Sequence, residues 1–163
     1  MNDLVKNHLI SAYADVDYAE FCSLAHALYC HQFPHADGYP VNHPEIVNYR
    51  NNLLQIHPEK GVVLTVRVEQ KLCGFVCLQG PVEPEQADGV DKTRYVFLSD
   101  LFVYSHYRRR GLGTALLHAA EIWAVESGCK KIALRVMGNN KAAIQFYEHH
   151  QFQSRFVVMD KYL

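Results

Sequence analysis

The junction between residues 95 and 114 constrains the fold of this chain more than any other feature. An apolar run, Tyr95 to Val103 (YVFLSDLFV), reads as a central strand. Leu112, Leu116, Ala119, Ala120 and Trp123 then follow at helical spacing, with Gly128 as a stop. The connection carries three consecutive arginines, Arg108, Arg109 and Arg110, followed by Gly111-Leu112-Gly113-Thr114. Two glycines two apart let a ligand approach the backbone without a Cβ in the way. The helix start offers unpaired N–H groups and the positive end of its dipole, and the arginines add charge-assisted donors. Together these predict an anion site suited to a pyrophosphate. Which pyrophosphate is narrowed by exclusion. A P-loop needs a lysine after its last glycine, which is missing, and the dinucleotide fingerprint fails where Thr114-Ala115-Leu116 follows the second glycine.

Elements around this junction predict a mixed α/β fold. His8 to Tyr13 reads as a first strand. From Asp17 the spacing turns helical, with Phe21, Leu24, Ala25 and Leu28 as the core stripe and an end before Pro34. After a polar, aromatic-rich connection, His35 to His43, Asn42 is expected to cap a second helix. Pro44 then lies in the first turn, Ile46, Tyr49, Leu53 and Ile56 form the stripe, and Pro58 and Gly61 are the stop. Gly61 to Glu69 and Leu72 to Leu78 form a hairpin closed at Gln70-Lys71. Gly80 to Lys92, with Glu83, Glu85, Asp88 and Asp91, reads as a solvated loop, or as one that draws a cationic amine inward. The chain continues with a strand from Ile132 to Met137 and a helix from Asn139-Asn140 through Ala143, Phe146 and Tyr147. A closing strand is expected from Phe152 to Met159.

Composition removes several function classes. At 163 residues the chain is expected to be one domain, 1–163. Sixteen Lys+Arg against seventeen Asp+Glu exclude a whole-surface basic field, so no nucleic-acid partner is expected. No apolar run approaches a membrane span and residues 1–10 hold no signal-like apolar region, so the expectation is a cytoplasmic protein with no membrane partner. Five cysteines without a Cys-x-x-Cys pair indicate neither a disulfide framework nor a zinc ribbon. Cys22, His26 and Cys30 share a helix face, but it borders the apolar stripe and reads as packing, so no metal is expected. Cys73 and Cys77, four apart on a strand, are expected to point to one side.

Arg108-Arg109-Arg110-Gly111-Leu112-Gly113 resembles the Gln/Arg-x-x-Gly-x-Gly/Ala signature of the GNAT superfamily of acetyl-CoA-dependent N-acetyltransferases. A second block, Asn140-x-x-Ala143-x-x-Phe146-Tyr147, is similar to the family's Asn-x-x-Ala-x-x-Leu/Phe-Tyr motif. Leu98 to Val103 and Tyr107-Arg108 look like the diamine acetyltransferase branch. The similarity covers about residues 95–160.

The resemblance implies a mostly antiparallel sheet with helices on both faces, whose fourth and fifth strands splay around acetyl-CoA. It implies cosubstrate contacts from Leu101, Phe102 and Val103, from Arg108 through Thr114, and from Asn140 and Tyr147. The implied chemistry is direct transfer of acetyl to a small-molecule primary amine, in a homodimer. Strand N–H groups would stabilise the oxyanion, Tyr147 would be the general acid and Asp100 the base. A protein acetyltransferase and a catalytically silent acyl-CoA-binding module are the alternatives.

Two positions depart from the family. Gln151-Phe152 replaces the usual Gly-Phe, which asks a non-glycine residue to take a left-handed cap. Ser99 replaces the glutamate of the diamine branch, leaving Asp100 as the only carboxylate on its strand. In a regular strand Asp100 would share a face with Leu98 and Phe102, and a bulge would re-aim it.

Overall fold

The structure, a computed structural model, describes residues 8–55, 60–83, 93–155, 157–159 and 161. Five strands form one sheet in the order β1-β2-β3-β4-β5: His8–Ala12, Gly61–Val68, Lys71–Val82, Tyr95–Val103 and Ile132–Leu134. The first four pair antiparallel and β5 runs parallel to β4. Helices α1 (Tyr18–Gln32) and α2 (Pro44–Leu54) connect β1 to β2. Helix α3 (Leu112–Glu126) makes the crossover from β4 to β5, and α4 (Lys141–His149) follows β5. Among the described residues no helix is long and apolar enough to cross a membrane.

Two apolar layers sandwich the sheet. On one face Phe21, Leu24, Ala25 and Leu28 of α1 and Leu53 of α2 pack on Val63, Phe75, Cys77 and Phe102. Phe21 and Phe75 are fully buried with ring centroids 4.9 Å apart, and each contributes about 2–3 kcal/mol by leaving water. On the other face Leu112, Leu116, Leu117, Ala120 and Ala124 of α3 cover Val66, Val76, Leu78, Val96, Leu98 and Val103. Asp17, buried at the start of α1, pairs with Arg67 of β2, whose guanidinium also reaches Glu20 at 2.9 Å.

Several expectations change. His43, not Asn42, is the N-cap of α2, because Pro44 fixes the first turn one residue later. The helix ends at Leu54, before Pro58 and Gly61 could act; Ile56 and Pro58 lie outside the described residues. The hairpin turn is Glu69-Gln70, both left-handed at φ 49° and 67°, and not Gln70-Lys71. Strand β3 runs on to Val82 beyond the expected end at Leu78. Most of the acidic loop, residues 84–92, lies outside the described residues, and Glu83 pairs with Arg94 at 2.8 Å. Strand β5 stops at Leu134, leaving Val136 and Met137 exposed. The closing strand does not form among the described residues: Val157, Val158 and Met159 belong to no strand and are exposed.

Two β-bulges matter most. Leu72 pairs with Arg67 and Gly74 with Val66, so Cys73 is the extra residue. It therefore lies in the α3-side core while Cys77 lies in the α1/α2-side core, not on one side as strict alternation gives. In β4, Leu98 pairs with Leu78 and Asp100 with Cys77, which makes Ser99 the extra residue. Leu98 and Leu101 consequently share the α3 face, and Asp100 joins Phe102 toward α1 and α2.

Candidate active site

Strand β5 pairs with β4 only through Val96↔Ile132, Phe97↔Ala133 and Leu98↔Leu134. Beyond Leu98 the two strands part while β4 stays bonded to β3 as far as Val103. Tyr104 donates its N–H to Cys73 C=O at 3.0 Å on β3. Alternation then turns the polar groups of Phe102 toward β3 and those of Leu101 and Val103 into the gap. Arg108 fills the far end, with Nε donating to Val103 C=O at 2.9 Å and its guanidinium over the Phe102 ring. The N–H groups of Leu101 and Val103 remain in the cleft.

The cleft runs into the start of α3. Gly111 is the N-cap in the left-handed region at φ 83°, and Arg109 before it is left-handed at φ 61°. The first helical bond is Ala115 N–H to Gly111 C=O at 2.9 Å, so the N–H groups of Leu112, Gly113 and Thr114 have no intrahelical acceptor. Arg109 is exposed and bonds to no group among the described residues, and Arg110 lies over the Tyr107 ring. Three open N–H donors, two exposed guanidinium groups and the helix dipole fit a pyrophosphate, the anion predicted from the glycine spacing. Arg108 does not share this freedom: it braces the loop.

Gly113 also lies where α4 seats on α3: a Cβ there would stand 3.5 Å from the Phe146 ring, an ordinary packing contact. Thr114 Oγ1 and His150 Nε2, 3.1 Å apart, join the same two helices. Asn140 is the N-cap of α4, its Oδ1 accepting from Ala143 N–H at 3.1 Å, which leaves its amide NH2 to donate elsewhere. Gln151 adopts the left-handed cap at φ 67°, and Phe152 N–H closes on Tyr147 C=O at 3.0 Å. That closure brings the Phe152 ring to 5.4 Å from Tyr147, with Phe146 at 5.3 Å on its own helix.

Tyr147 and Asp100 approach the mouth of the splay from different layers, one on α4 and the other on the α1/α2 face of β4. They sense each other: the Tyr147 phenol is pushed up to about 12, first by burial and then by the charge of Asp100. Its hydroxyl bonds to no group among the described residues. Asp100 Oδ1 accepts from Tyr49 Oη at 2.7 Å, and Oδ2 has no partner among them. Burial, then Asp100, raise the Cys77 thiol on β3, while burial and Asp100 push the Tyr49 phenol far above its ordinary value.

Sequence reading missed Tyr49 and Cys77 as neighbours of the carboxylate. A tyrosine on a core stripe does signal a hydroxyl that needs a partner, but that partner is 51 residues away. On the Cys22/His26/Cys30 face, Cys30 Sγ donates to Ala36 C=O at 3.3 Å and His26 Nε2 sits 2.7 Å from Tyr39 C=O. Among the described residues no three potential metal ligands cluster anywhere.

Comparison with known proteins gives the same picture. Residues 23–152 match the acetyltransferase (GNAT) family profile. Streptothricin acetyltransferase A of Bacillus subtilis is 40% identical over 58 residues, 36% of this chain and 34% of that protein. An uncharacterized N-acetyltransferase of the same species is 36% identical over 99 residues, 61% of this chain and 63% of the relative. Mouse thialysine N-epsilon-acetyltransferase is 34% identical over 55 residues, 34% of this chain and 32% of its own. The chain thus spans between a third and just under two thirds of these relatives. An aminoglycoside N-acetyltransferase solved in complex with CoA shares the fold, with a TM-score of 0.72 at 18% identity over 96% of this chain and 95% of that one.

Proposed function

The chain belongs to the GNAT acetyltransferase family, and on that premise we propose that it is an N-acetyltransferase that uses acetyl-CoA to acetylate a primary amine of a small molecule. One observation carries the reading beyond the family. Asp100 stands at the mouth of the splay with one oxygen unpartnered and no cation paired to it among the described residues, facing the Tyr147 phenol. A half-buried carboxylate left without a counter-charge suits an acceptor that arrives as an ammonium. The names of relatives that act on streptothricin, thialysine and aminoglycosides support a small-molecule amine.

Bound acetyl-CoA supplies an activated acetyl group on a thioester. In the proposed mechanism Leu112, Gly113 and Thr114 N–H groups, with Arg109 and Arg110, hold its pyrophosphate. Asn140 offers a donor to the arm that connects it to the thioester. Leu101 and Val103 N–H groups face the gap, where they can accept the charge that develops on the thioester oxygen. Asp100 takes the proton from the acceptor ammonium, directly or through a water, which frees the nitrogen lone pair for attack. The attacking nitrogen sheds its second proton to solvent as the amide forms, while Tyr147 gives its proton to the departing thiolate and is reprotonated from solvent. A thiolate whose thiol titrates at about 8.5 is a weaker base than the buried phenolate, so the phenol releases its proton only as the C–S bond breaks and takes one back.

A homodimer is part of the proposal. Val136, Met137, Val157, Val158 and Met159 are exposed apolar side chains of the kind a second copy buries. Light scattering during size exclusion tests it, a monomer counting against it. The function itself is tested by release of free thiol from acetyl-CoA over a panel of polyamines, aminoglycosides, amino acids and peptides. Turnover with a small amine supports the reading. Turnover with peptides alone moves it to protein acetylation, and tight acetyl-CoA binding without turnover on any amine rejects it.

A further inference from the structure

Tyr49 occupies the α2 stripe between Ile46 and Leu53, both buried. Its ring packs edge-on against Tyr29 of α1 with centroids 5.3 Å apart. Packing alone would be served equally by phenylalanine, so the hydroxyl needs its own account. It donates to Asp100 Oδ1 at 2.7 Å, a strong charge-assisted length, while Gln32 Oε1 lies at 3.4 Å, the limit for such a bond. A phenol has one proton, and distance assigns it to Asp100.

We infer that Tyr49 is a positioning residue for acetyl transfer: its phenol holds Asp100 Oδ1, fixing the carboxylate in one orientation with Oδ2 turned to the acceptor. The inference rests on the reading of Asp100 as the base. The groups that face Asp100 are Tyr49 from α2, Cys77 from β3 and Tyr147 from α4, with Gln32 at the end of α1 behind Tyr49. All are neutral at working pH, and the two phenols and the thiol are raised by burial and by the carboxylate itself. Tyr49 is the one among them that donates a hydrogen bond to the charged form. The same bond couples α2 to the strand that lines the cleft: a carboxylate held at one oxygen cannot rotate away when the amine enters.

The test is the infrared spectrum of the Asp100 carboxylate in the full chain carrying 13C-labelled aspartate, its bands assigned by difference from Asp100→Asn, with Tyr49→Phe compared to wild type, and it needs no acceptor. Tyr49→Phe keeps the ring against Tyr29 and removes the donor at Oδ1, so the carboxylate stretching bands are expected to shift. Unchanged bands overturn the inference. If Tyr49→Phe does not fold, 3-fluorotyrosine at position 49 gives the reciprocal reading, since a more acidic phenol donates more strongly and the bands must shift the other way; no shift again overturns it. With an amine found in the turnover panel, Tyr49→Phe should lower kcat/KM for that amine about tenfold at pH 7 without changing acetyl-CoA affinity. Placed on Asp100→Asn it should cause no further loss. Additive losses overturn the inference. Full activity of Asp100→Asn removes the base reading and this role with it, whereas loss in Asp100→Asn beside an unaffected Tyr49→Phe removes only the role of Tyr49.

Discussion

Gly74 gives the sharpest prediction about the strand pair that carries the site. It follows the Cys73 bulge and pairs with Val103 at the end of β4. Its backbone is not left-handed, so conformational freedom is not why glycine stands there. Space is the reason. A Cβ would lie 2.5 Å from Phe102 C=O, 3.0 Å from Val103 Cγ2 and 3.2 Å from Val103 Cα. A comfortable carbon–oxygen contact is about 3.3 Å, so Gly74→Ala demands a shift of about 0.8 Å against backbone, which cannot rotate away. The strands must part beside the Tyr104–Cys73 bond, and the cost is about 2–4 kcal/mol, at or above the usual overpacking range. For a chain of this size that lowers the Tm by about 5–12 °C. Gly113→Ala is the control, because its Cβ meets the Phe146 ring at 3.5 Å and Leu101 Cδ2 at 4.0 Å, both ordinary contacts, and helix propensity favours alanine by up to about 1 kcal/mol. Thermal and urea unfolding of the two variants decide the matter. A Gly74→Ala protein that melts within 1 °C of wild type would refute the argument, as would equal losses at both glycines.

Three further predictions concern the chemistry. Tyr147→Phe should lower kcat by about 10²–10⁴ while acetyl-CoA affinity by calorimetry stays within about twofold; a fully active variant removes the tyrosine from the mechanism. The Tyr147 phenol should titrate near 12 in a 295 nm absorbance scan, and Asp100→Asn should lower that step only in part, because burial is the larger cause. Because the folded value exceeds the unfolded one, the stability from this group is intact below about pH 10 and is lost as pH rises through 12, so an early alkaline transition unaffected by Tyr147→Phe counts against the assignment. Gly111→Val should abolish acetyl-CoA binding and cost about 1–3 kcal/mol of stability, since φ 83° is hostile to a β-branched residue; unchanged calorimetric affinity sinks the pyrophosphate site.

What the sequence made legible was local, and what it hid depended on register. The α1 stripe, the bounds of β4 and the α3 start at Leu112 each follow from a few adjacent residues and their periodicity, while the left-handed cap at Gln151 follows from the family resemblance. The face of Asp100 does not, because it depends on Ser99 being the unpaired residue of a bulge, and a bulge is chosen by how two strands fit over their whole length. Nor does the unpaired tail follow: residues 157–159 have strand composition, yet composition does not say whether a neighbouring edge will receive them. The Ser99 bulge shows how much rests on one such choice. Without it Asp100 would keep the parity of Leu98 and point into the layer formed by Leu116, Leu117 and Val96, where a carboxylate has no donor. With it, Leu101 takes that apolar place and Asp100 meets the one phenol that reaches it from α2. The bulge therefore serves the core and the site at once: with all nine residues in the strand, it alone keeps Leu98 and Leu101 on the α3 face while Asp100 reaches Tyr49.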